Sequence, residues 1–134
     1  MADNGQEDIA ADGIASDDKA AVERSVEALI DDARSAMIQG GRSGGYSLAY
    51  TILTSFDLTA EQESEMHFLK GLGLFRMGNF KDAIADLDEV IYRDRLHVAA
   101  HHLRADCYRE MFEWRKAAEG YSRVIILEPE NALA

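Results

Sequence analysis

The feature that most narrows the folds open to this chain is a self-similarity at a spacing of 34 residues. Superimposed, residues 64–97 and 98–131 are identical at His67/His101, Leu69/Leu103, Met77/Met111, Ala83/Ala117, Val90/Val124 and Ile91/Ile125. They are conservative at Lys70/Arg104, Gly71/Ala105, Phe80/Trp114, Lys81/Arg115 and Asp94/Glu128. Small and large apolar residues fall at helical intervals, so each unit reads as two short helices. Such a unit cannot bury its apolar face alone and must stack on a neighbour. One proline and no run rich in Val, Ile and Thr also favour helix over strand.

Ahead of the clear units, apolar residues recur from Ala21 and Val22 through Val26, Leu29, Ile30, Ala33 and Met37, which predicts a long first helix from about Asp18. Four glycines in Gly40–Gly45 predict a loop. A second helix follows, with Tyr46, Ala49, Tyr50, Leu53 and Phe56 on one face and a break at Asp57–Thr59. Thr59 with Gln62 has the form of a capping box opening a third helix. Counting back one period from Ala83, Leu87 and Val90 reaches Ala49, Leu53 and Phe56, so a degenerate first unit spans about 30–63.

Charge divides the chain as well. Of the formal net charge of −11, residues 1–32 carry −8, with ten acids against Lys19 and Arg24. Residues 1–16 hold few large apolar side chains and read as a disordered acidic tail ahead of a helical domain over 17–134. The acidity argues against binding nucleic acid or anionic membranes. No stretch approaches a membrane span, and the first dozen residues carry acids where a signal peptide needs bases. A lone Cys107 fits a reducing, cytoplasmic compartment.

The period and its small/large pattern resemble the tetratricopeptide repeat family. The last unit carries the likeness best, with Ala105 and Ala117 at the small slots, Tyr108, Tyr121 and Val124 at the bulky ones and Pro129 at the break. The middle unit offers Gly71, Leu74, Ala83, Leu87 and Val90, but Arg95 where a proline is usual. The resemblance implies an all-α, right-handed superhelix of antiparallel helix pairs, about three repeats, whose A helices line a concave groove. It implies a binding module, an adaptor or chaperone-like protein that takes a protein or peptide partner.

By the same resemblance, the groove positions are Glu65, Phe68, Leu72, Phe75 and Arg76 in the middle unit and Ala99, His102, Asp106, Arg109 and Glu110 in the last. Phe68, Leu72, Phe75, Arg76, His102, Asp106 and Arg109 are the candidate partner-binding residues. Phe68, Leu72 and Phe75 form one stripe, which is either an exposed docking patch or packing covered by the long first helix. Members of that family that clamp the terminal carboxylates of heat-shock proteins use Lys, Asn and Arg side chains where this chain has Arg34, Ile38, Leu69, Ala99 and Leu103. Only Arg34 could serve, so a clamp-type co-chaperone is not expected. Small acidic chaperones of bacterial type III secretion look similar in size, acidity and three-repeat plan.

No enzyme is expected, because no nucleophile, base and orienting group emerge together. His97, His101 and His102 near Asp106 and Cys107 suggest a metal site only superficially, since His101 occupies the same packing slot as His67. Gly71-Leu72-Gly73 lacks the spacing and the strand of a dinucleotide loop, so no cofactor is expected. The competing expectation is self-assembly into a homo-oligomer. It arises because the repeats run to 131 of 134 residues, leaving Tyr108 and Val124–Leu127 without a covering helix.

Overall fold

The computed structural model describes residues 16–39 and 44–128, and its elements are α-helices only: α1 (Ser16–Gln39), α2 (Gly44–Ser55), α3 (Ala60–Arg76), α4 (Phe80–Arg93), α5 (Val98–Glu110) and α6 (Trp114–Leu127). The acidic tail expected over 1–16 lies outside the described residues except for Ser16, which opens α1. None of these helices is long and apolar enough to cross a membrane.

Among the described side chains of α1 the buried ones are Val26, Ile30, Ala33 and Met37, one helical face; Ala21 and Val22, expected on that face, are exposed. The glycine loop is shorter than its composition suggests. Gly44 and Gly45 belong to α2, and a Cβ on Gly45 would lie 3.2 Å from the Met37 Cα, so the two helices approach closely there and a small residue suits the contact. The buried face of α2 is Gly45, Ala49 and Ile52, while Tyr50, expected on it, is exposed. α3 opens with the expected capping box: Thr59 Oγ1 accepts from the Gln62 amide at 3.1 Å and Gln62 Oε1 accepts from the Thr59 amide at 3.0 Å.

The turns after α3 and α5 carry the same backbone hydrogen bonds one period apart. Met77, Gly78 and Asn79 donate to Gly73, Phe75 and Leu74; Met111, Phe112 and Glu113 donate to Cys107, Arg109 and Tyr108. Both turns pass through the left-handed region, at φ 83° for Gly78 and φ 63° for Phe112. The connection after α4 is closed by a backbone bond from the His97 amide to the Asp94 carbonyl at 3.2 Å and by two side chains. Asp94 Oδ1 accepts from the Leu96 amide at 3.1 Å, and His97 Nδ1 accepts from the Ala100 amide at 3.1 Å, capping α5.

Each helix packs on its sequence neighbours, and contacts at one remove join α1 to α3 and α3 to α5. Two apolar clusters result. Val26, Ile30, Ala33, Met37, Ala49, Ile52, Met66 and Leu69 form the first, and Leu74, Ala83, Leu87, Val90, Ala100, Leu103 and Cys107 the second. Fully buried side chains such as Ile30, Ile52 and Leu87 contribute about 1.5–3 kcal/mol each relative to exposure. A buried acid interrupts the apolar face of α4: Asp86 accepts from His67 Nδ1 at 2.9 Å and lies 3.3 Å from Lys70 Nζ, both on α3. Lys70 also sits over the Tyr50 ring, tying α2 into the same junction.

Candidate functional site

The seven candidate residues fall into two groups, one on α3 and one on α5. Phe68 and Leu72 are half-buried and pack against both apolar clusters, and Phe75 packs against the second, edge-on to Phe80. The stripe is therefore a seam between α3 and its neighbours, with only its margins open to solvent. Phe68 lines a cleft at the edge of the stripe. Its ring lies 5.3 Å from that of His97, and it borders an open cleft of about 320 Å³ shared with Glu65, Arg93 and His97. Arg76 is exposed and donates through Nη1 to the Met37 carbonyl near the C-terminus of α1, where a cation also complements the helix dipole.

The α5 group converges on one carboxylate. Asp106 Oδ1 accepts from the Tyr121 hydroxyl of α6 at 2.5 Å and lies 3.5 Å from Arg109 Nη1, while Asp106 Oδ2 is 3.2 Å from His102 Nδ1. The His102 and Tyr121 rings meet edge to face, 5.6 Å apart. Burial first, and then the bond to Asp106, push the Tyr121 phenol up to about 12. It stays a hydrogen-bond donor at neutral pH. His102 and Tyr121 border a second cleft of about 660 Å³ with Val98, Ala99, Val124 and Ile125.

Phe68 and His102 are one period apart, and so are the residues that flank them in the two clefts, Ser64 and Val98, and Glu65 and Ala99. The same position of α3 and α5 thus borders a cleft twice, once with an aromatic ring and once with an imidazole. Among the described residues no hydrogen bond or ion pair joins the α3 group to the α5 group.

Arg34, the single clamp position with a suitable side chain, is engaged by Glu65 and by Asp31, the latter at 2.6 Å; the Glu65 bond raises its pKa further above the ordinary range. Leu69 and Leu103 at other clamp positions are buried. The three histidines act separately: His97 caps α5, His101 Nε2 donates to the Arg95 carbonyl at 2.9 Å, and His102 faces Asp106. Cys107 is fully buried, and desolvation pushes its thiol up to about 12.

Sequence reasoning missed Tyr121 as the donor to Asp106 and missed the His67–Asp86–Lys70 junction. The second was open to detection, since Asp86 sits between Ala83 and Val90 on an otherwise apolar stripe, and a buried carboxylate there needs partners. Among known proteins, no family model matches the chain and no curated protein is significantly similar to it in sequence.

Proposed function

We propose that the chain is a tetratricopeptide-type repeat protein, a right-handed stack of the helix pairs α1/α2, α3/α4 and α5/α6. In this reading it serves as an adaptor or chaperone-like interaction module, without catalysis of its own. A peptide or protein partner lies along the face made by α1, α3 and α5. The observation that carries this reading is the recurrence of a cleft beside Phe68 on α3 and beside His102 on α5, one repeat period apart. A ligand running across these helices meets an apolar anchor at Phe68 and a polar cluster at His102, Asp106 and Arg109, the mix expected of a peptide-binding groove. The duplicated turn hydrogen bonds after α3 and α5 support equal helix pairs, which is what a regular stack requires.

Cross-linking capture from the native host tests the assignment, with a His102→Ala/Arg109→Glu variant as control. Both side chains are about half exposed, so the variant should keep the fold. A partner retained by the wild type and lost by the variant is expected. Equal capture by both proteins sinks the groove.

A second reading, self-assembly, is favoured by Ile125 and Ile126, which are 52% and 69% exposed near the end of α6. Sedimentation across the micromolar range decides it: a strict monomer removes that reading.

A further inference from the structure

The two well-matched units differ at one buried junction. In the α3/α4 pair, Asp86 is gripped by His67 Nδ1 and Lys70 Nζ. One period later the imidazole and the cation return as His101 and Arg104, but the carboxylate position is Gly120. The reason is steric. Ala105 stands where the previous unit has Gly71, and a Cβ on Gly120 would lie 2.7 Å from the Ala105 Cβ, so α6 cannot carry an aspartate there.

The consequence shows in the hydrogen bonds. His101 is buried, its Nε2–H is held by the Arg95 carbonyl at 2.9 Å, and its Nδ1 has no hydrogen-bond partner. Arg104 reaches instead to Asp88, at 2.7 Å. Beside these groups a cavity of about 690 Å³ opens between α4, α5 and α6, lined also by Arg95, Lys116 and Arg123. Their counterparts one period earlier are Glu61, Asp82 and Glu89, so three acids have become three bases. Two acids line the cavity as well, Asp88, which Arg104 neutralises, and Glu119. In a chain of net charge −11, this is a local reversal of sign.

We propose that this cavity binds carboxylates of an acidic peptide, one Asp or Glu side chain taking the place beside His101 and Arg104 that Asp86 occupies in the preceding pair. With Nε2–H fixed on a carbonyl, the ring meets a carboxylate by taking a proton on Nδ1 from solvent, and a charge-assisted bond replaces an unsatisfied buried acceptor. A peptide fits better than an isolated acid group, because the cavity is far larger than one carboxylate and its other cations are spread over the α4–α5 connection and α6. The residues differ from those of the α3/α5 groove, so either proposal can fail without the other.

Calorimetry on the full chain at low salt, with capped hexaglutamate and hexaglutamine as probes, tests the site. Hexaglutamate should bind more tightly by roughly tenfold or more, and Arg104→Gln/Arg123→Gln should remove most of that difference. Ala105→Gly/Gly120→Asp rebuilds the internal carboxylate and should abolish binding while leaving the melting temperature unchanged or higher. On saturation the His101 Nδ1 nitrogen signal should move to the protonated range. Equal binding of the two probes, unchanged affinity in Arg104→Gln/Arg123→Gln, or an unmoved His101 signal overturns the proposal. Citrate binding as tightly as hexaglutamate reassigns the cavity to small polycarboxylates and overturns the peptide.

Discussion

The hydroxyl of Tyr121 on α6 donates to Asp106 on α5 across 2.5 Å, at the junction where His102 and Arg109 also meet that carboxylate. Tyr121→Phe keeps the ring contact with His102 and removes only this bond. Because the acceptor is charged but partly solvated, a loss of about 1–2 kcal/mol in unfolding free energy is expected by denaturant titration. The pH dependence has a defined sign. The folded phenol titrates at about 12 against 10.0 for a free tyrosine, so the native state holds the proton longer. The stabilisation is complete below pH 10 and is lost as pH rises through about 12. The gap between wild type and Tyr121→Phe should therefore close over that interval and stay constant near neutrality.

Asp86 is the most consequential polar residue in the fold. Asp86→Ala strips the acceptor from His67 and the counter-charge from Lys70 while opening a hole between α3 and α4. A loss of about 2–4 kcal/mol is expected. Asp86→Asn keeps one acceptor and should cost less than half of that. Equal melting temperatures for wild type and Asp86→Ala would show that the junction is solvated and energetically idle.

Burial and the raised thiol pKa of Cys107 make it inert in the folded protein. A disulfide-exchange reagent at pH 7.5 should react with it only at the rate at which α5 and its neighbours open, and at the full free-thiol rate in denaturant. Fast labelling of the native protein would contradict the packing of α5 against α4. Cys107→Ala should be tolerated better than Cys107→Asp, which places a charge among Leu74, Leu87 and Leu103.

Phe112 holds φ 63°, the left-handed region that Gly78 occupies in the equivalent turn, and the residue is 74% exposed. A non-glycine residue there costs about 1–2 kcal/mol of backbone strain, against about 0.5–1 kcal/mol of extra unfolded-chain entropy for glycine. Phe112→Gly should therefore be neutral to stabilising by about 1 kcal/mol, less whatever its ring contact with Trp114 contributes. Phe112→Val, β-branched at positive φ, should destabilise.

Residue periodicity predicts the helices well because each apolar face is local: Val26, Ile30, Ala33 and Met37 on α1, and Ala83, Leu87 and Val90 on α4, lie on one side of their own helix. The Thr59/Gln62 cap is equally legible, since both partners sit within one turn. Boundaries are less so. Gly44 and Gly45 read as loop residues, yet both belong to α2, and Gly45 packs closely against Met37 of α1. The candidate site is the least legible part. Whether Phe68 and Leu72 face solvent depends on where α1 and α5 come to rest, and Tyr121 meets Asp106 only because α6 folds back on α5. Neither fact is encoded in a single helix.

The pattern of helix contacts has a last consequence. Among the described residues the first helix never touches the last, and no pairing skips more than one element. Such a chain has no keystone: order can begin in any helix pair and spread outward, so folding should be rapid for its size. Amide exchange should likewise be graded, slowest in α3, where both apolar clusters meet, and in α4, joined to it at the Asp86 junction, and fastest towards the two ends of the array.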